Sequence, residues 1–229
     1  MIVGGFQKFS LLDYPGKASA VIFTLGCNFR CRYCHNPELV IPGKYAPEIP
    51  PSEIYGFLEG RRNKLDAVCV TGGEPTLHAG LIEMIKRVKS MGFLVKLDSN
   101  GSRPEVLEEV IGRGLVDYLA MDVKAPLEGY AEIVGRPVSP DAITRSIRAI
   151  MNSGVKYEFR TTVVESLLRA DDLIKIVRLI EGAEGYYLQH FVPSKLDDVT
   201  LMEERSYSDD TLRALAGEMK NYVAYCGVR

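Results

Sequence analysis

Two hydrophobic periods alternate along this 229-residue chain, and no other feature restricts its fold as tightly. Apolar, β-branched runs at Ala18–Leu25, Ala67–Thr71, Phe93–Asp98, Asp117–Asp122, Tyr157–Val164 and Tyr186–His190 read as strands. Helical periods fill Pro51–Asn63, Ala79–Ser90, Pro104–Gly112, Pro140–Asn152, Asp171–Ile180 and Ser208–Ala224. Strands separated by helices pair in parallel through right-handed crossovers. Six such units are too few to close an eight-stranded barrel. The expected fold is therefore α/β, an open or partial (β/α)6 barrel of parallel strands. It is expected to form a single domain over residues 1–229, with an N-terminal segment 1–17 and a C-terminal loop and helix 195–229. Two stretches break the alternation. Asn36 to Pro51 holds five prolines and is expected to be ordered but non-helical. Lys195 to Ser206 is polar and charged, as a mobile loop near the open end of the sheet would be.

The chemically notable residues fall at one place in each unit. Cys27 follows the first predicted strand, Gly72-Gly73-Glu74 the second and Asp98-Ser99-Asn100 the third. Asp122 and Lys124 end the fourth, and His190 ends the sixth. Parallel α/β folds build their sites at the carboxyl ends of the strands, so five separate segments converge on one face.

Three of the five cysteines, Cys27, Cys31 and Cys34, lie within eight residues. A disulfide framework would spread them out, so a reducing compartment and a metal are expected. Three thiolates on a short loop can ligate three irons of a four-iron, four-sulfur cluster and leave the fourth iron open. The alternative is a zinc ion held by the three cysteines and His35, but His35 directly follows Cys34, a poor spacing for wrapping a tetrahedral ion.

The motif Cys27-x3-Cys31-x2-Cys34, with aromatic Tyr33 before the last cysteine, resembles the signature of the radical S-adenosylmethionine superfamily. Cys34-His35-Asn36-Pro37 resembles the activating enzymes of glycyl radical enzymes. Leu12-Asp13-Tyr14-Pro15-Gly16-Lys17 and Tyr157–Val164 resemble, more narrowly, the activating protein of anaerobic ribonucleoside-triphosphate reductase. The resemblance implies a [4Fe–4S] cluster and S-adenosylmethionine as cofactors. It implies reductive cleavage to methionine and a 5′-deoxyadenosyl radical, which takes the α-hydrogen of a glycine in a partner reductase. An electron donor of flavodoxin or ferredoxin type is implied with it.

Residue by residue, the resemblance gives Gly72, Gly73 and Glu74 the methionine ammonium, and Lys124 the methionine carboxylate. A glycine pair permits close backbone approach, and a carboxylate accepts from an ammonium. Taken alone, Gly-Gly-Glu-Pro is an ordinary strand-to-helix turn and Lys124 a solvated surface lysine. Asp98, with Ser99 beside it, and Asp122 end adjacent strands, and two such carboxylates repel unless a cation lies between them. That cation is the sulfonium, Lys124 or a monovalent metal; the plainer reading makes both residues strand-end caps. His190 is matched to a ribose contact, against a purely structural histidine. Tyr33 is placed against the adenine with Asn36 just beyond it. Arg160 and Val164 are placed along the nucleoside pocket, against the plainer reading of core or surface residues. The rim of a groove for the partner is expected to include Asp13-Tyr14-Pro15 and the loop from Lys195, although Asp13–Gly16 also reads as a simple turn into the next strand.

The net charge of −2 and pI near 6.0 give no electrostatic case for nucleic acid or an anionic membrane. No stretch approaches the roughly 20 apolar residues of a membrane helix, and Met1–Gly16 lacks a signal-peptide layout, so a cytoplasmic location is expected. Cys69 reads as a small buried hydrophobe, and Cys226 has no partner cysteine nearby. Two rival functions stand beside the activase: a radical enzyme of the same superfamily acting on a small molecule or another glycyl radical enzyme, and a non-enzymatic iron–sulfur electron-transfer module. The latter leaves Gly72-Gly73-Glu74 and Lys124 unexplained.

Overall fold

The computed structural model describes residues 1–229. Eight strands form one open sheet in chain order: β1 (Val3–Ser10), β2 (Ser19–Thr24), β3 (Ala67–Gly72), β4 (Leu94–Ser99), β5 (Tyr118–Asp122), β6 (Lys156–Val163), β7 (Tyr186–His190) and β8 (Cys226–Val228). From β2 to β8 every neighbour is parallel, and β1 alone runs antiparallel, beside β2. The six strands read from the sequence are thus present, flanked by two more at the edges.

The helices are α1 (Pro37–Val40), α2 (Pro51–Glu59), α3 (Leu81–Ser90), α4 (Pro104–Gly112), α5 (Tyr130–Val134), α6 (Pro140–Met151), α7 (Ala170–Leu179) and α8 (Asp209–Met219). Proline opens α2, α4 and α6, where its missing N–H costs nothing. Ser139 and Ser208 cap α6 and α8 by accepting from the Ala142 and Thr211 amides. In α3 the residues Leu81, Met84, Ile85 and Val88 are all buried, the spacing of a single helical face. The proline-rich stretch departs from its expectation. It contains the one-turn helix α1 and a 3-10 turn at Pro42–Lys44, because prolines at first-turn positions permit short helices.

Strand alternation separates two environments. Val95, Leu97, Leu119, Met121, Phe159, Tyr186 and Leu188 join the main apolar core between sheet and helices. The intervening residues, among them Lys96, Asp98, Asp122, Glu158, Arg160 and Tyr187, point to the other face of the sheet. That face carries the chemistry.

The hairpin from β1 to β2 lies at the amino ends of the parallel strands, away from Cys27 at the carboxyl end of β2. Tyr14 is buried there, 5.6 Å from the Tyr118 ring and packed with Val21, Ala67 and Cys69. The expectation that Asp13-Tyr14-Pro15 rims the site is corrected: β1 reverses direction into β2, so its turn is carried to the opposite end of the sheet. The segment is the turn feeding β2, with Lys17 N–H donating to Tyr14 C=O at 3.1 Å.

Candidate functional site

A cavity of about 170 Å³ opens at the carboxyl ends of β2 to β6. Every residue singled out from the sequence as a cofactor or metal ligand lines it, except His190 and Val164, the latter buried with Tyr33, Phe191 and Leu201 in an apolar cluster. His190 follows the parity of Tyr186 and Leu188, so it lies on the helix side of the sheet. There its Nε2 is 3.0 Å from an Asp209 carboxylate oxygen at the start of α8.

The glycine pair is required by the protein's own backbone. A Cβ on Gly73 would fall 2.0 Å from the Gly26 carbonyl oxygen, and one on Gly72 2.3 Å from the Thr24 nitrogen. Gly72 also has φ +114°, open to glycine and strained for other residues. This close approach lets Gly73 N–H donate to Thr24 C=O at 2.9 Å and Glu74 N–H to Gly26 C=O at 2.8 Å. The turn after β3 is thereby fastened to the root of the cysteine loop.

Glu74 is 1% exposed, and both of its carboxylate oxygens accept hydrogen bonds from within the chain. Oε1 accepts from the Thr76 amide at 3.1 Å, the Thr76 hydroxyl at 2.5 Å and the Ser99 hydroxyl at 2.9 Å; Oε2 accepts from the Asn100 amide at 2.6 Å. Burial raises its pKa, against the pull of these donors. Three of these bonds crowd Oε1 and one reaches Oε2, so Oε2 keeps a lone pair for a further donor. Asn100, which the sequence reading passed over as a site residue, extends the clasp. Its Nδ2 donates to Asn28 Oδ1 at 3.0 Å and lies 3.8 Å from Cys27 Sγ.

Between Asp98 and Asp122 lies a guanidinium. Arg160 Nε donates to Asp122 Oδ1 at 2.9 Å and Nη1 to Asp98 Oδ2 at 3.1 Å. Register explains the placement, since Arg160 pairs with Asp122 across β5 and β6. Lys124 Nζ is 3.4 Å from the other Asp122 oxygen, and Lys96 pairs with Asp98. Burial alone would raise both carboxyl pKa values. Arg160 first, then Lys96 for Asp98 and Lys124 for Asp122, more than offset it: Asp98 is lowered, and Asp122 falls to about 2. Both aspartates are therefore charged, and their mutual repulsion is relieved without a metal ion between them.

The cysteine thiols stand at the mouth, each partly exposed. Burial, reinforced by the Glu74 charge, pushes Cys27 up to about 12, and burial likewise raises Cys31 and Cys34. No three His, Cys, Asp or Glu side chains converge as a single ion demands. His35 stacks on Phe191, with centroids 5.6 Å apart and planes 11° apart. A cubane takes each thiolate on a different iron and so needs no such convergence. The donor set, three soft sulfurs beside a polar cavity, fits the cluster. Tyr33, 5% exposed, lines the same cavity; its buried phenol has no hydrogen-bond partner, and Lys124 Nζ lies 6.0 Å from its ring centroid. Asn36 lies beside it at the start of α1.

This arrangement coincides with a known class. Residues 21–180 match the radical SAM superfamily, and the chain belongs to that superfamily. It is 35% identical over 227 residues to a Methanocaldococcus jannaschii protein provisionally named a glycyl-radical enzyme activating enzyme, covering 97% of this chain and 93% of that one. Pyruvate formate-lyase-activating enzyme of Clostridium pasteurianum is 28% identical over 202 residues, covering 80% and 82%. The 7-carboxy-7-deazaguanine synthase of Methanopyrus kandleri is 27% identical over 227 residues, covering 88% and 84%. Among solved structures, Streptococcus suis SuiB bound to S-adenosylmethionine superposes with a TM-score of 0.62 at 13% identity, over 91% of this chain and 48% of that one. Structural kinship at that identity shows the shared fold. As a radical SAM enzyme, the protein takes a [4Fe–4S] cluster and S-adenosylmethionine. No helix is long and apolar enough to cross a membrane.

Proposed function

We propose that the protein is an activase, which installs a glycyl radical on a partner enzyme, and that the partner is an anaerobic ribonucleoside-triphosphate reductase. The observation that carries the activase reading is the nearly end-to-end kinship with the Methanocaldococcus protein, which spans 97% of this chain and 93% of that relative. The choice of reductase rests on the Leu12–Lys17 and Tyr157–Val164 resemblances.

In this reading Cys27, Cys31 and Cys34 hold the cluster. When bound, the cluster would supply the electron for reductive cleavage of S-adenosylmethionine. The chain's own residues bind and orient. Lys124 neutralises the methionine carboxylate. Asp122, kept ionised by Arg160, attracts the cationic end of the cofactor. Gly72 to Glu74 hold the turn against the cysteine loop, so that cluster and cofactor sites share one rigid frame. Tyr33 offers its ring to the nucleoside. Arg160 already fills the space between Asp98 and Asp122, so no monovalent cation is required there. A flavodoxin or ferredoxin in the cytoplasm would deliver the electron.

A second reading, a radical enzyme acting on a small molecule, is favoured by the kinship with 7-carboxy-7-deazaguanine synthase at 27% identity. One experiment separates the two. The reconstituted, reduced protein is mixed anaerobically with S-adenosylmethionine and an anaerobic ribonucleotide reductase, and electron paramagnetic resonance is recorded. A glycyl radical signal is expected. Its absence, with consumption of a small metabolite instead, would overturn the activase reading.

A further inference from the structure

The web of charge behind the cavity extends past the residues assigned to the cofactor. Glu158 lies two residues before Arg160 on β6, on the same face, and its side chain is 2% exposed. Its Oε1 is 3.9 Å from Arg160 Nη1, the nitrogen that donates to Asp98 at 3.1 Å. A buried carboxylate so near competes for that guanidinium. What satisfies it instead is Arg229, just beyond β8: Nη1 donates to Oε1 and Nη2 to Oε2, each at 3.0 Å, while Tyr118 Oη donates to Oε2 at 3.1 Å.

Arg229 is itself firmly placed. Its amide donates to Leu188 C=O at 2.9 Å and its carbonyl accepts from His190 N–H at 2.8 Å, which continues the β7–β8 ladder. Its guanidinium lies 3.4 Å from the Tyr187 ring centroid, and Tyr187 pairs with Arg160 across β6 and β7. The planar fork, seated on an aromatic face, matches the carboxylate bidentately, as a lysine could not.

We propose that Arg229 is a positioning residue for the S-adenosylmethionine site: by satisfying Glu158 it leaves Arg160 free to bridge Asp98 and Asp122. This rests on the reading that Asp122 and its neighbours hold the cofactor. Without Arg229, the buried Glu158 carboxylate keeps only the Tyr118 hydroxyl and draws Arg160 Nη1 across the remaining gap. The Asp98 contact breaks, and Asp122 is left beside a displaced guanidinium. Nothing at Arg229 touches the cavity, so the effect travels through two ion pairs in series.

The test is a double-mutant cycle read by equilibrium binding of S-adenosylmethionine to the cluster-loaded, unreduced protein, with iron content and the melting temperature of each variant measured alongside. Arg229→Gln is expected to weaken binding about tenfold, the scale on which supporting contacts act on a bound site. Arg229→Lys should recover only part of this. Glu158→Gln/Arg229→Gln should return affinity to within about twofold of wild type, because no charge remains to compete for Arg160. A merely structural Arg229 would instead make the double variant as weak as the single one or weaker, and that result overturns the proposal. So does unchanged affinity in Arg229→Gln when Arg160→Gln loses affinity. If Arg160→Gln and Asp122→Asn both bind like wild type, the assignment of the cofactor site is what fails.

Discussion

Replacing Gly73 by alanine tests the claim that the glycine pair exists to join two backbones. The added Cβ would meet the Gly26 carbonyl oxygen at 2.0 Å and its carbon at 2.6 Å. Ordinary contact lies near 3.4 Å, so the turn must retreat by more than an ångström, and the obstacle is backbone that no rotamer change can clear. The movement breaks the bonds from Gly73 N–H to Thr24 C=O and from Glu74 N–H to Gly26 C=O, at 2.9 and 2.8 Å. Two hydrogen bonds at about 1 kcal/mol each, with overpacking of about 1–2 kcal/mol, give a loss of roughly 3–4 kcal/mol. For a chain of this size that lowers the melting temperature by roughly 6–16 °C. The assay is thermal unfolding of the cluster-free protein, followed by iron content after anaerobic reconstitution, which should fall as the cysteine loop loses its anchor. Gly56→Ala is the control: it lies within α2 with nothing near its Cβ, and should be neutral or slightly stabilising. A Gly73→Ala protein that melts with wild type and binds full iron would refute the argument.

Three further outcomes are expected. Glu74→Ala strands the Asn100 amide and the Thr76 and Ser99 donors, and should cost about 2–4 kcal/mol in chemical denaturation before any cofactor is added; unchanged stability would mean that Glu74 is not the clasp between β3 and β4. Because the folded Asp122 pKa lies near 2, below its ordinary 3.8, the stability it contributes is present above pH ~4 and is lost as pH falls toward ~2. Acid titration of Asp122→Asn should show a shallower limb over that window, and an identical limb would count against the Arg160 pairing. Cys69→Ala and Cys226→Ala, at buried positions outside the cavity, should keep full iron content by colorimetric assay, and loss of iron from either would place a fourth thiol at the cluster.

The six central strands were legible because burial on the helix side leaves long apolar runs, and their bounds fall within about two residues of those observed. The edges were not. β1 carries Gly4-Gly5 directly after Val3 and continues through exposed Gln7 and Lys8, so its pairing with β2 gives no alternating signal. β8 spans three residues, shorter than any period can reveal. Tyr14 was also readable in retrospect, because a segment that directly precedes the strand Ala18–Leu25 enters at its amino end, opposite Cys27. The cavity residues at the strand ends were readable from type and position alone. Their partners were not: that Arg160 meets Asp122, and Arg229 meets Glu158, follows from register across strands far apart in sequence. His190 was readable in retrospect, because the apolar parity of Tyr186 and Leu188 assigns it to the helix side.

The central claim is that three cysteines on the loop after β2 leave one iron open to S-adenosylmethionine, held by the strand-end residues around it. Its most direct test is release of 5′-deoxyadenosine and methionine from anaerobically reconstituted, dithionite-reduced protein. Wild type should carry about four irons and release both products in equal amounts, while Cys27→Ala, Cys31→Ala and Cys34→Ala should lose both iron and cleavage. Full iron with no cleavage in wild type, or cleavage that survives any of the three substitutions, would contradict it.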